Sequence, residues 1–226
     1  MIVYARGSMR RPGLAAALLT IALSVPFATR ADRDSAVLEP QLQVQVLDRE
    51  LLAIDAEGGG ARSERLERGE QVLYTRSEGR VGVVVTNHRL LAIATRSGAW
   101  QQARLRQHES PPADVILGDR VALAILASRA LGFDGGSGNL IESTLGPREV
   151  VRNSAIGQNV AVLVTDRRAL AMSSDRGGFF EVPIRPGERI ESLDALASVA
   201  TLQTSDRLLI FRGETASWEE RRRTIR

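Results

Sequence analysis

The 226 residues contain no cysteine, no lysine and only two histidines. Without cysteine there is no disulfide scaffold, no thiolate metal site and no Cys nucleophile. Without lysine, Schiff-base chemistry and the P-loop lysine are excluded as well. Aromatic residues make up 4% of the chain, and they are not interleaved with a basic stripe as a nucleic-acid surface requires. All 30 basic residues are therefore arginine, set against 27 acidic ones for a formal net charge of +3. A composition of 43% hydrophobic and 25% charged residues is that of a globular chain of one or two domains.

Acidic residues are absent from residues 1–31, which hold Arg6, Arg10, Arg11 and Arg30. From Met9 the order is Arg10-Arg11, an apolar stretch from Leu14 to Val25, the breaker Pro26, and small residues at Thr29 and Ala31. That order predicts a secretory signal peptide over 1–31 with cleavage after Ala31. Its apolar core falls short of the ~20 residues a spanning helix needs, so no stable membrane insertion is expected after cleavage. Residues 32–226 then form a single exported domain, periplasmic or secreted. Removing the four leader arginines leaves 26 Arg against 27 acidic residues, so the high overall pI belongs to the leader.

The dominant feature of the remainder is a repeat. Segments 46–54 (VLDRELLAI), 85–93 (VTNHRLLAI), 125–133 (ILASRALGF), 164–172 (VTDRRALAM) and 203–211 (QTSDRLLIF) align without gaps. Anchored on Glu50, Arg89, Arg129, Arg168 and Arg207, the spacings are 39, 40, 39 and 39. Leu42, Val81, Val121, Val160 and Val199 lie eight residues before the anchors, and Ala61, Trp100, Leu140, Phe179 and Trp218 eleven after. A fixed period of this length signals stacked supersecondary units.

Each unit reads as short strands. The runs 81–86, 121–126 and 160–165 are apolar and rich in β-branched residues, as in strands covered on both faces. A second strand follows a tight turn at Asn87-His88, Ala127-Ser128 or Asp166-Arg167, and glycine clusters then break the chain. A third strand starts at the aromatic column and continues inward at Leu66, Leu105, Leu145 and Ile184. Weaker runs at 71–75, 114–118, 149–153 and 189–193 are read as a fourth.

Five four-stranded units of about 39 residues resemble the blades of a five-bladed β-propeller. The resemblance covers roughly 36–226 and rests on period and strand order, since the His and Trp-Asp marks of WD40 units are missing. It implies an all-β fold, with Gly82, Ala122, Ala161 and Ala200 where blades converge. It also implies closure by an N-terminal strand, Ser35 to Glu39, completing the last blade and removing an open sheet edge. Two pleckstrin-homology-like barrels are the alternative prompted by VVTNHRLLAI, and a β-solenoid is disfavoured by the length of the unit.

Catalytic signatures are sparse. His88 and His108 sit in turn and loop positions without HxH or HExxH spacing, so no metal site is expected, and no cofactor. No GxSxG elbow is present. Gly135-Gly136-Ser137-Gly138-Asn139 lies between strands and opens no helix, so it reads as a turn and not as a phosphate loop. The strands at 81–86, 121–126, 160–165 and 199–204 carry no acid, leaving a glycosidase only loop carboxylates to work with.

The one constellation that recurs is Arg89, Arg129, Arg168 and Arg207, which a closed propeller gathers at one mouth. Guanidinium forks suit carboxylates, phosphates and sulfates, which makes these four the candidate ligand-binding residues. The competing reading pairs each with a neighbouring acid to fix its hairpin. Trp100, Phe179 and Trp218 are expected to pack between blades. The resulting expectation is a monomeric, non-enzymatic binding or assembly module of the cell envelope. It would recognise a protein or anionic glycan and no nucleic acid. A polysaccharide or glycopeptide hydrolase using loop carboxylates is the alternative.

Overall fold

A computed structural model describes residues 41–222; the signal segment and the closing strand expected at Ser35–Glu39 lie outside them. The described residues form five antiparallel sheets. The first holds β1 (Leu42–Leu47), β2 (Glu50–Asp55) and β3 (Ala61–Arg65). The second comprises β4 (Val72–Glu78), β5 (Val81–Thr86), β6 (Arg89–Ala94) and β7 (Gln101–Arg104). The third is β8 (Val115–Leu117), β9 (Val121–Ile125), β10 (Arg129–Asp134) and β11 (Asn139–Thr144). The fourth is β12 (Val151–Ile156), β13 (Val160–Thr165), β14 (Arg168–Ser173) and β15 (Arg176–Pro183). The fifth is β16 (Ile190–Leu196), β17 (Val199–Thr204), β18 (Arg207–Arg212) and β19 (Ser217–Arg222). These are the blades of a five-bladed β-propeller architecture, one per sequence repeat; among the described residues the buried clusters join each sheet to the next, and none joins the fifth to the first.

One pairing departs from the sequence expectation. The weak strand read as the fourth of each unit instead leads the next sheet, with β4 on β5, β8 on β9, β12 on β13 and β16 on β17. The reason is loop length. Only Gly79-Arg80 separates β4 from β5, a two-residue hairpin connection, whereas residues 105–114 separate β7 from β8. The fifth sheet therefore already has four strands, and the first, with three, is the one short of a strand among the described residues.

The offset explains the hydrophobicity. β5 and β6 are buried at every position because they lie inside a sheet that is itself sandwiched between sheets. Val81, Val83 and Val85 face the third sheet through Leu117, Ala122 and Ala124, while Val84 and Leu91 face the first through Leu51. Comparable clusters join the third sheet to the fourth around Leu123, Leu163 and Met172, and the fourth to the fifth around Val162, Leu202 and Phe211. Each fully buried Leu, Val or Phe contributes roughly 1.5–3 kcal/mol, so these interfaces are the main hold between sheets. In β17 burial alternates, as expected of a sheet with one covered face.

Close approach uses the small residues. A Cβ on Gly82 would lie 2.5 Å from Val44 Cγ2 of the first sheet, so only glycine lets β5 come this near. The hairpin turns at this end also bond from sheet to sheet. Gln41 N–H donates to the Gly79 carbonyl at 2.6 Å, Arg80 to Asp119 at 2.8 Å, Arg120 to Gln158 at 2.8 Å, and Asn159 to Ala197 at 2.9 Å. That ladder fastens one end of every described junction.

Candidate functional site

The other end of each junction carries the arginine column. β6, β10, β14 and β18 all begin on the anchor residue, which the preceding hairpin turn sets at the sheet's end. Arg89, Arg129 and Arg207 are 2%, 4% and 3% exposed, so three of the four expected ligand-binding arginines lie beneath the surface. Arg168 is more open.

Each guanidinium makes the same three attachments. Its Nη2 reaches back to the carbonyl that ends the last strand of the preceding sheet. The acceptors are Arg65 at 2.8 Å, Arg104 at 2.7 Å, Thr144 at 2.7 Å and Pro183 at 2.6 Å. Its Nε meets a carboxylate in the connecting loop: Glu70 at 2.9 Å, Glu109 at 3.0 Å, Glu149 at 2.9 Å and Glu188 at 2.8 Å. Its Nη1 holds a residue on its own sheet's last strand, namely Gln102, Glu142, Glu181 or Glu220. The planar fork is what allows one side chain to bridge three segments, which a lysine ammonium would not fix in the same way. The four residues thus act as clasps between blades, the hairpin-fixing reading in enlarged form.

The loop glutamates escaped the sequence reading. Each is the last residue of a four-residue turn: 67–70, 106–109, 146–149 and 185–188. The third position has positive φ, at Gly69 (80°), His108 (65°), Arg148 (63°) and Gly187 (83°), as a type II turn demands. Pro147 and Pro186 occupy the second position in two of them, which pre-sets its φ. Each glutamate also accepts the amide of its turn's first residue, at 2.7, 3.0, 2.6 and 2.8 Å in chain order. A Glu 19 or 20 residues before each anchor arginine is the signal that would have found them.

The electrostatics follow from this geometry. Burial would raise the glutamate pKa values, but hydrogen bonds from the arginine, from a turn amide and, for three of them, from a threonine hydroxyl outweigh it. Glu149 and Glu188 are lowered to about 2, and Glu70 and Glu109 are also lowered. The threonines are Thr86, Thr165 and Thr204, which donate to Glu70, Glu149 and Glu188 at 2.8, 2.8 and 2.6 Å. All four arginines are raised by the same partners.

Other expected residues fall where packing and turns need them. Trp100 Nε1 donates to the Arg62 carbonyl of the first sheet at 3.2 Å, and Trp218 Nε1 to the Phe180 carbonyl of the fourth at 2.9 Å. Phe179 packs in the cluster joining the third and fourth sheets. These aromatics lie between blades. In the glycine-rich segment, Asp134 Oδ1 accepts the Gly136 amide at 2.8 Å and the Ser137 amide at 3.2 Å, so the amides that would cradle an anion are held within the turn. His88 sits in its hairpin turn, and His108 holds the positive-φ turn position. Among the described residues, no group of three His, Cys, Asp or Glu is placed to hold a metal.

Beside the clasps between the fourth and fifth sheets lies a cleft of about 440 Å³. Glu188 of the Arg207 clasp and Thr165 of the Arg168 clasp are in its lining, and Arg152, Asn153, Asp166, Arg189 and Glu191 are its exposed members. It presents charges of both signs and hydrogen-bonding groups beside the clasps.

Fold and site together define a class: a propeller-type repeat protein whose blades are tied by buried arginine–glutamate clasps. No family model and no curated protein matches the chain. Among solved structures it is similar to yeast Prp20 in complex with Kap60, at 12% identity, TM-score 0.36, over 75% of this chain and 55% of that one. It is also similar to PorZ of Porphyromonas gingivalis, at 10% identity, TM-score 0.38, over 85% and 27%. A third is the Pan2 WD40 domain of Neurospora crassa, at 10% identity, TM-score 0.34, over 69% and 51%. The chain thus spans about half of Prp20 and of the Pan2 domain and about a quarter of PorZ.

Proposed function

We propose that this protein is an exported, non-enzymatic binding or assembly module of the cell envelope that recognises a protein partner. An anionic glycan is the other class of ligand its exposed arginines suit. The observation that carries this reading is the division of labour among the arginines. The anchor residues are spent on the clasps, while Arg152 and Arg189 stand open beside them in a cleft with Asn153, Asp166 and Glu191. Mixed charge and amide groups on an exposed rim favour directional polar recognition. Export is supported by the basic, apolar and small-residue order of residues 9–31.

Capture from envelope extract on the immobilised protein, run beside an anionic glycan panel, tests the reading. A specific partner recovered by the unaltered chain and lost with the Arg152→Ala/Arg189→Ala variant is expected. Recovery unaffected by that variant would move recognition elsewhere, and turnover of any glycan would replace a binding module with a hydrolase.

A further inference from the structure

The first and fifth sheets differ from the three between them in having one half-exposed face each. On the fifth sheet that face carries Val199, Thr201 and Gln203 of β17 with Leu208 and Ile210 of β18, and Leu196 beside Val199 is 79% exposed. On the first sheet it carries Gln43, Gln45 and Leu47 of β1 with Glu50, Leu52 and Ile54 of β2. These are not arbitrary surfaces. One is the repeat equivalent of the face that receives the next sheet, the other of the face that packs on the preceding sheet. Val199 and Thr201 correspond to Leu42 and Val44, and Gln43 corresponds to Gly82.

Their charges are matched as well. At the junction between the first and second sheets, Glu64 of β3 reaches across to the anchor Arg89 at 3.0 Å. Arg221 holds the position of Glu64 on the fifth sheet, and Glu50 holds that of Arg89 on the first. The pair is present with its signs reversed, on two sheets whose outer faces stay partly exposed among the described residues. A carboxylate at the anchor position cannot donate to a preceding carbonyl, which is why Glu50 fits no clasp of the kind seen elsewhere. It fits an arginine, and Arg221, 64% exposed, would exchange its exposed pair with Glu219 of its own strand, at 2.8 Å, for Glu50.

We infer that the free face of the fifth sheet docks on the free face of the first sheet of a second copy, continuing the stack from chain to chain. The apolar centre is Val199, Leu208 and Ile210 against Leu52 and Ile54. Gln203, Gln43 and Gln45 supply amide hydrogen bonds, and Arg221 faces Glu50. The polar content marks an interface between chains that also exist apart, less apolar than the fixed junctions inside the chain. The contact is head-to-tail, so copies join as rings or chains according to the angle at the junction.

The absence of native cysteine makes the test direct. Since a Cβ at Gly82 would lie against Val44 Cγ2, the equivalent pair across the new junction is Gln43 and Thr201. Full-length Gln43→Cys and Thr201→Cys chains, mixed under mild oxidation, are expected to give a disulfide-linked heterodimer well in excess of either homodimer. In light-scattering measurements, Glu50→Arg or Arg221→Glu alone is expected to weaken association about fivefold, with recovery when the two variants are mixed or combined. A strict monomer at all concentrations would overturn the inference. So would a disulfide forming inside a single Gln43→Cys/Thr201→Cys chain, which would show the two faces closing on each other within one molecule. Neither result bears on recognition at the cleft, which is read by the Arg152/Arg189 variant.

Discussion

Arg207 donates from Nε to Glu188 Oε1 at 2.8 Å, with both side chains almost withdrawn from water, at 3% and 0% exposure. The same arginine reaches the Pro183 carbonyl of the preceding sheet and Glu220 of its own. One side chain therefore ties two blades and the turn between them. Truncating it in Arg207→Ala strands a buried carboxylate, and the expected loss is about 3–5 kcal/mol of folding stability. Urea denaturation followed by far-UV circular dichroism checks this. Arg212→Ala, at an exposed pair with Glu219, is the control and should cost less than about 1 kcal/mol.

Acid should loosen the blades in a defined window. Glu149 and Glu188 have folded pKa values of about 2 against an ordinary 4.5. A depressed folded pKa gives stability that is fully present above the unfolded pKa and is lost as pH falls through the folded one. Each of these carboxylates, 2% and 0% exposed, contributes on the order of 3 kcal/mol above that window. Glu70 and Glu109 are shifted the same way. The urea midpoint is thus expected to hold steady from neutral pH to about 5 and then fall steeply towards about 2. A midpoint flat down to pH ~3 would contradict the prediction.

Glycines at sheet junctions should differ by what they touch. A Cβ on Gly118 would fall 2.0 Å from the Gly157 carbonyl oxygen, an immovable backbone atom, whereas one on Gly132 would meet the flexible end of Met172 at 2.3 Å. Gly118→Ala is expected to cost more than about 3 kcal/mol, and Gly132→Ala about 1–2 kcal/mol. Thermal melting of the two variants would rank them.

The turns beneath the clasps offer a gain. His108 and Arg148 sit at φ of 65° and 63°, a conformation that L-residues adopt at a cost and glycine adopts freely. Gly69 and Gly187 already solve the same problem at the equivalent positions. Arg148→Gly should stabilise by about 0.5–1 kcal/mol, and Gly187→Ala should destabilise by a similar amount. The melting temperatures should move in opposite directions.

The repeat, the strands within it and the arginine column were legible because period-two burial and a 39-residue spacing leave their mark on every unit. Trp100 and Trp218 could be placed between blades for the same reason. Sheet membership was harder to read: β8 is a strand whichever neighbour it pairs with, and only the comparison of a short turn at 118–120 with the long connection at 105–114 decides it. The glutamates were hidden differently. Glu109 lies 20 residues before its arginine where the other three lie 19, and all four sit in polar turns where one more acid attracts no notice. That Arg89, Arg129 and Arg207 are buried, and so occupied by protein carboxylates, emerges only when three separate segments meet in space.

The central claim is that these arginines and glutamates are coupled pairs holding blade to blade. A double-mutant cycle on Glu149 and Arg168, using Glu149→Gln, Arg168→Met and both together, measures that coupling most directly. An interaction energy of about 2 kcal/mol or more is expected. Additive effects, with coupling below about 0.5 kcal/mol, would contradict the account.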